Sequence, residues 1–156
     1  PASAGSNLLG CYIAFKELMA SGETDRLPRL FVSQPAHCAP LHASFQAGTS
    51  DFVETDFKPT IAEGTAIKRP IRLTEMLQAL RESDGGTTTV KEAEIVDASL
   101  KLASSGLYVE PTSAHAAAAF AQLSADGQID PGDETVVILT GTGLKATTFY
   151  AEQFPS

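Results

Sequence analysis

The feature that most constrains the fold is the run at residues 134–145, which is apolar and β-branched at first and then changes abruptly to Thr140, Gly141, Thr142 and Gly143. Short apolar, β-branched runs are typical of buried strands. In open α/β sheets, ligands bind where a strand leads into a Gly-rich turn, because the strand ends and the following backbone amides form a crevice. The sequence therefore predicts a last strand with a small-molecule site at its end.

Helix and strand patterns alternate along the rest of the chain. Apolar residues at helical spacing and β-branched runs predict helices over residues 8–19, 39–45, 73–81, 92–103 and 114–125, strands over 29–33 and 87–90, and a polar loop over 46–59. Pro111 fits the first turn of the last helix, where its missing N–H costs nothing. Helices between strands imply crossover connections. We therefore expect an α/β fold, with an open, mainly parallel twisted sheet and helices on both faces.

Composition excludes several classes of protein. A chain of 156 residues with 43% hydrophobic residues can bury one core of ordinary size. A net charge of −8 and a pI near 4.7 argue against a nucleic-acid partner, since such binding relies on Lys and Arg. One bound phosphate remains compatible with that charge, because a helix amino-terminus can hold an anion locally.

Cysteine usage and hydropathy indicate a compartment. Cys11 and Cys38 are too few for a disulfide scaffold. The sequence has neither an apolar run near the roughly 20 residues of a membrane helix nor a signal-peptide pattern. We therefore expect a cytoplasmic protein without a membrane partner.

Three separated segments carry a resemblance to a known family. Residues 59–72 (PTIAEGTAIKRPIR), 109–114 (VEPTSA) and 139–145 (LTGTGLK) resemble, in this order, segments of the carboxyl-terminal half of the threonine synthase family. Members of that family are fold type II pyridoxal-phosphate enzymes. The resemblance covers residues 1–146, which we interpret as the carboxyl-terminal part of such an enzyme, followed by a tail at 147–156.

The resemblance implies where this chain would hold the phosphate of the cofactor. Its phosphate loop corresponds to residues 2–7, directly before the first helix, with Gly5, Ser6 and Asn7 as the binding residues. The loop of the family is richer in glycine. The alternative is an ordinary Ser or Asn helix cap.

The resemblance also implies a contact to the cofactor ring. Thr140 matches the residue whose hydroxyl faces the pyridine nitrogen, and Gly141 would let the backbone pass close to the ring. A neutral hydroxyl moderates the electron sink of the cofactor. The alternative for Thr140 is a turn residue without a ligand. Residues 62–64 match a loop near the cofactor, and the alternative for Glu63 is a solvated carboxylate.

One required group is not matched. The Schiff-base lysine of the family lies upstream of every segment that this chain resembles. No such motif surrounds the lysines of this chain, which are Lys16, Lys58, Lys68, Lys91, Lys101 and Lys145. The chain also begins at Pro1 with what looks like the interior of a domain. We therefore expect a fragment that is inactive by itself, whose partners are the missing amino-terminal part and, through exposed apolar surface, further copies of itself.

The reaction that the resemblance implies is the conversion of O-phosphohomoserine and water to L-threonine and phosphate on pyridoxal phosphate, with an amino acid as the small-molecule substrate. Alternatives are another fold type II enzyme, such as a serine/threonine dehydratase or a cysteate synthase. A third possibility is a non-catalytic domain that binds the cofactor or a phosphate.

Other combinations of residues are weaker. His37, Cys38 and His42 are metal-capable side chains, but a fourth ligand is not evident and we expect no metal site. His115 has no nucleophile motif around it. The glycines at 141 and 143 do not complete the G-x-G-x-x-G pattern of a dinucleotide site.

Overall fold

The structure is a computed structural model that describes residues 1–154. Within them the chain forms two β-strands and six α-helices, in the order α1 (Ser6–Ser21), β1 (Phe31–Pro35), α2 (Pro40–Gln46), α3 (Leu73–Glu82), β2 (Gly86–Val90), α4 (Glu92–Ser104), α5 (Pro111–Ala125) and α6 (Thr147–Gln153). Single 3₁₀ turns cover Glu63–Thr65 and Gly143–Lys145.

The two strands form a parallel sheet. Phe31 lies opposite Gly86 and Pro35 opposite Val90, and the connection between the strands carries α2 and α3. The predicted α/β class with a parallel sheet is therefore confirmed. The strand predicted over 29–33 begins and ends two residues later than expected, at Phe31–Pro35.

Helices cover both faces of this sheet. Along β1, Val32 belongs to an apolar cluster with residues of α1, α2 and α3, whereas the next side chain, Ser33, bonds to His115 on α5. Along β2, Thr87 contacts His42 on α2 and Thr88 contacts a glutamine on α5. Successive strand residues point to opposite faces, so the polar strand residues bond to a helix on either side.

The larger part of the core lies between β1 and helices α1 to α3. Helix α3 supplies it with apolar residues at spacings of three and four, which place them on one side of the helix. The cluster comprises Ala2, Leu8, Leu9, Val32, Leu41, Leu73, Met76, Leu77, Ala79 and Leu80. On the other face, α5 packs against α4, and Val90, Ile95 and Ala119 form a smaller cluster with Ala62.

The prediction of a last strand is wrong. Residues 134–140 contain no strand. Just after them, Thr142 forms an isolated antiparallel bridge with Val109. Val136 is 85% exposed and Ile138 is 43% exposed. A strand needs a neighbour for its ladder of hydrogen bonds. Within the described residues, this segment pairs with neither β1 nor β2, although its composition is that of a buried strand.

The tail contains a helix that is fixed to the rest of the molecule. Tyr150 on α6 is buried, and its hydroxyl donates to the carbonyl of Val109 at 2.6 Å. Its ring lies 4.7 Å from the ring of Tyr108, measured between centroids. The boundary between domain and tail that we place at residue 146 stays a prediction, and the last two residues of the tail lie outside the described residues.

Helix α1 offers a test of backbone entropy. Gly10 lies in its exposed interior, and a methyl group added there meets no atom within 4 Å. Gly10→Ala is therefore expected to raise the free energy of unfolding by about 0.5–1 kcal/mol, since alanine loses less backbone freedom in a helix. Ala14→Gly on the same helix is the reciprocal control and should lower it by a similar amount in urea unfolding. A loss of stability in Gly10→Ala would contradict the expectation.

Among residues 1–154, no helix combines the length and the apolar character needed to cross a lipid bilayer.

Candidate functional site

The first site segment lies at the start of α1. Gly5 is the residue before the helix and has φ of +95°, a left-handed conformation that glycine adopts without strain. A Cβ atom at this position would overlap the sulfur of Met76. The backbone angle therefore favours glycine here, and a side chain would in addition displace Met76 on α3.

The amides of the first turn of α1 are oriented out of the helix. The first intrahelical bond joins the N–H of Leu9 to the carbonyl of Gly5 at 2.9 Å. The amides of Ser6, Asn7 and Leu8 come before it in the chain and therefore have no acceptor within the helix. No side chain caps this end of the helix within the described chain, and Ser6 and Asn7 are exposed. The alternative of a Ser or Asn cap is therefore wrong, and the turn can accept an anion.

The second site segment, Thr140 and Gly141, lies against the start of α5. The hydroxyl oxygen of Ser113 accepts the N–H of Gly141 at 2.7 Å and lies 3.1 Å from the hydroxyl oxygen of Thr140. The N–H of Glu110 donates to the carbonyl of Gly141 at 3.1 Å. Ser113 is fully buried, whereas Thr140 is exposed. The hydroxyl of Thr140 thus lies within hydrogen-bond distance of the buried Ser113, while the residue as a whole is exposed.

The two glycines of this segment pack closely against side chains of their neighbours. A Cβ atom on Gly141 would overlap the carboxylate of Glu110, with Cδ at 2.6 Å, and one on Gly143 would lie 2.7 Å from the ring of Tyr108. Lys145 Nζ lies 3.8 Å from Oε1 of the same Glu110. The backbone therefore passes close to the residues just before α5.

The loop at residues 62–64 meets the same helix end. The N–H of Gly64 donates to the hydroxyl oxygen of Thr112 at 3.1 Å, Ala62 is fully buried, and Glu63 is exposed. Thr112 therefore holds this loop while the adjacent Ser113 holds the Gly141 segment. The segments 59–72 and 139–145 thus both contact the segment 109–114, at the start of α5.

A cleft of about 660 Å³ connects the start of α1 with the run that precedes Thr140. Asn7 and Leu8 contribute to one wall and Ile138 to another, and the side chains of β1 and α5 form its base. Thr140 follows Ile138 by two residues, at most about 7 Å of extended chain. Asn7 is thus the predicted site residue that lines the cleft, and the run that lines its other side ends two residues before Thr140.

A buried polar network supports the base of this region. His115 on α5 is fully buried, with Nδ1 2.8 Å from the hydroxyl oxygen of Ser33 and Nε2 3.3 Å from that of Thr65. Burial lowers the pKa of His115 to about 3, because the surroundings disfavour the charged ring. The imidazole therefore acts here as a neutral link between β1, α5 and the loop at 62–66.

The metal-capable side chains have other partners. His37 Nδ1 lies 2.6 Å from the carbonyl oxygen of Pro59, and His42 Nδ1 lies 3.0 Å from the hydroxyl oxygen of Thr87. Cys38 is buried. In the part of the chain that the structure describes, no cluster of three His, Cys, Asp or Glu residues could hold a metal ion.

Sequence reasoning missed the roles of Glu110 and Ser113. Both belong to the segment 109–114 that we used for the resemblance, but their partners lie about 30 residues further along the chain. No local sequence pattern indicates these contacts, because each joins the start of α5 to a residue far along the chain.

Comparison with known proteins gives one family. A model described as "Pyridoxal-phosphate dependent enzyme" matches residues 1–141. Threonine synthase of Methanocaldococcus jannaschii is 32% identical over 146 residues, which are 93% of this chain and 36% of that protein. Threonine synthase 2, chloroplastic, of Arabidopsis thaliana is 32% identical, with 90% of this chain and 28% of that protein covered. Threonine synthase of Mycobacterium leprae is 29% identical and matched over 41% of its length.

Solved structures share the fold. An L-serine ammonia-lyase from the fungus Rhizomucor miehei superposes with a TM-score of 0.73 at 20% identity, covering 99% of this chain and 48% of that one. Serine racemase from maize superposes with a TM-score of 0.70 at 22% identity, covering 98% and 44%.

This chain spans between 28% and 41% of the length of the three threonine synthases. The family model extends over almost the whole chain and includes the starts of α1 and α5 as well as Thr140 and Gly141. The chain belongs to the family of pyridoxal-phosphate dependent enzymes.

Proposed function

We propose that this chain is the carboxyl-terminal part of a cytoplasmic threonine-synthase-like enzyme, which converts O-phosphohomoserine and water to L-threonine and phosphate. The observation that carries the proposal is the cleft lined on one side by Asn7 and Leu8, in the first turn of α1, and on another by the run at 133–138 that leads to Thr140. The threonine synthases that this chain resembles at 29–32% identity favour this reaction over others of the family.

The residues of both ends suit the cofactor. The amides of Ser6 and Asn7, at the positive end of a 16-residue helix, would hold its phosphate, and Gly5 keeps the turn open. Thr140 would present a hydroxyl to the ring nitrogen, and Gly141 lets the backbone lie close to Glu110, whose carboxylate a side chain there would overlap. When bound, pyridoxal phosphate would supply the electron sink for removal of phosphate from the substrate.

We further propose that a segment upstream of Pro1 completes the enzyme. The cleft is bounded by β1, which pairs with β2 alone among the described residues, and by the extended run at 133–138. Strand edges and exposed β-branched residues such as Val136 are surfaces that other segments cover. That segment would carry the Schiff-base lysine, so that residues 1–156 alone would be inactive and self-associating.

The test uses the natural polypeptide isolated with its complete amino-terminus. With pyridoxal phosphate and O-phosphohomoserine, we expect equal amounts of phosphate and L-threonine, and borohydride should link the cofactor to a lysine upstream of Pro1. Keto acid formed from L-serine or L-threonine, without phosphate released from phosphohomoserine, would identify a dehydratase instead. Cofactor binding that borohydride cannot trap would identify a non-catalytic binding domain.

The phosphate turn gives a separate prediction. Gly5→Ala in the complete polypeptide is expected to weaken binding of pyridoxal phosphate about tenfold, or about 1.4 kcal/mol. The added methyl group is strained at positive φ and displaces the turn from Met76. Gly22→Ala is the matched control, because Gly22 ends the same helix with φ of +78° and has no atom within 4 Å of its Cβ position. Equal dissociation constants for the two variants, measured by fluorescence titration, would contradict a phosphate site at Gly5.

A further inference from the structure

The hydroxyl of Ser113 is surrounded by three polar atoms of the site segment. It accepts the N–H of Gly141 at 2.7 Å, lies 3.1 Å from Thr140 Oγ1, and lies 3.3 Å from the carbonyl oxygen of Gly141. Ser113 is completely buried, so water does not compete for these bonds. The position of its one proton decides how the hydroxyl of Thr140 is oriented.

Two arrangements of protons are compatible with these distances. In the first, Ser113 donates to Thr140, and the proton of Thr140 is free to be donated outward. In the second, Thr140 donates to Ser113, and Ser113 donates to the carbonyl of Gly141. A hydroxyl has one proton and two lone pairs, so the two arrangements exclude each other.

The neighbouring bonds favour the first arrangement. The carbonyl of Gly141 already accepts the N–H of Glu110 at 3.1 Å, so it does not need the proton of Ser113. Ser113 already accepts the N–H of Gly141, and its distance to Thr140 is shorter than its distance to that carbonyl. Donation from Ser113 to Thr140 satisfies every buried group of the set.

We infer that Ser113 is a positioning residue that makes the exposed hydroxyl of Thr140 a hydrogen-bond donor toward the ligand. Such a hydroxyl selects an acceptor, which in an aromatic heterocycle is a ring nitrogen without a proton. The inference rests on the proposed function, in which that nitrogen belongs to pyridoxal phosphate. Ser113, which does not itself contact the ligand, would thus control the protonation state of the ring nitrogen through Thr140.

Charged groups near the segment act on the same nitrogen. The carboxylate of Glu110 favours a protonated ring, whereas the ammonium of Lys145, 3.8 Å from that carboxylate, and the positive end of α5 oppose it. Glu63 on the neighbouring loop is exposed, and His115 is neutral. None of these groups bonds to the hydroxyl of Thr140, so a substitution at Ser113 leaves their charges unchanged.

The experiment measures the ring nitrogen directly. The complete polypeptide is loaded with pyridoxal phosphate labelled with ¹⁵N in the ring, and the nitrogen chemical shift is followed against pH. In Ser113→Ala we expect the apparent pKa of the ring nitrogen to rise by about one unit or more, since the first arrangement is lost and the hydroxyl of Thr140 is no longer held as a donor to that nitrogen. Ser113→Cys, whose thiol is a weaker donor, should give an intermediate value.

Two controls separate positioning from general destabilisation. Ser99→Ala removes another fully buried hydroxyl, one that bonds only to the carbonyl of Ile95 within α4, and should leave the titration as in the unsubstituted enzyme. Thr140→Ala should shift the ring nitrogen at least as far as Ser113→Ala, and the double variant should shift it no further, since both act through one hydroxyl.

The outcomes are distinguishable. If Ser113→Ala titrates as the unsubstituted enzyme does, or if its shift adds to that of Thr140→Ala, the inference is overturned while the proposed function stands. If the unsubstituted polypeptide binds no cofactor, both are overturned. A shift in Ser113→Ala and Thr140→Ala that is absent in Ser99→Ala supports the assignment.

Discussion

Lowering the pH from 7 to 4.5 is expected to reduce the free energy of unfolding by roughly 2–3 kcal/mol through His115 alone. The pKa of this residue is about 3 in the folded chain, against the ordinary value of 6.5. Between these values the unfolded chain binds a proton that the folded chain does not. Stability from the neutral imidazole is therefore present above pH 6.5 and is lost as the pH falls toward 3.

The hydrogen bonds around the ring explain why it stays neutral. The hydroxyl of Thr65 donates to the carbonyl of Ala62 at 2.8 Å, so its oxygen accepts a proton from Nε2 of His115. Nδ1 is then the acceptor for the hydroxyl of Ser33. Protonation of Nδ1 would place its N–H opposite the O–H of Ser33, so that two donors face each other in a buried site. This cost adds to that of burying the charged ring.

Urea unfolding at a series of pH values measures this effect. His115→Gln is the comparison, because its amide can donate to Thr65 and accept from Ser33 without titrating. The difference in unfolding free energy between the two chains should change by about 1.4 kcal/mol per pH unit between pH 6 and 4. Parallel curves for the two chains would show that His115 is not buried as a neutral ring.

Gly85→Ala is expected to cost about 3 kcal/mol of stability. A Cβ atom at this position would overlap the carbonyl oxygen of Leu30 and lie 2.7 Å from its carbonyl carbon. These are backbone atoms directly before β1, so they cannot rotate out of the way. The first pair of the sheet, Phe31 with Gly86, would have to move apart.

Gly132→Ala provides the matched control for this substitution. Gly132 lies in an exposed turn, and its Cβ position has no atom within 4 Å. Its effect in thermal or urea unfolding should stay within about 0.5 kcal/mol. A similar small effect for Gly85→Ala would mean that the backbone of Leu30 is not held against this glycine.

The helices could be predicted from the sequence because each carries its own signal. Apolar spacing in α3 and the alanine-rich run after Pro111 correspond to observed helices, and the predicted ends differ from the observed ones by at most three residues. For α1 the observed start is Ser6 rather than residue 8, because glycine rather than a polar side chain precedes the helix. Local periodicity is enough to identify an element, whereas its first residue depends on packing such as that of Gly5 against Met76.

The extended run at 134–140 shows the limit of that reasoning. Its β-branched residues indicate a strand, but composition does not state whether a partner is present in the chain. The site has the same limit. The resemblance indicated Thr140 and Gly141 as site residues, whereas their contacts with Ser113 and Glu110 at the start of α5 come from tertiary structure.

The bond between Tyr150 and the carbonyl of Val109 has a consequence for synthesis of the protein. The two residues are 41 positions apart, and Val109 directly precedes Glu110, which holds the backbone of Gly141. Chains fold as they leave the ribosome, so the α/β core can form while Tyr150 is still unmade. The contact of Tyr150 with Val109, next to the Glu110 that bonds Gly141, is therefore among the last to form. A chain released before Tyr150 is synthesised would contain a folded core but would lack this support for the segment around Thr140.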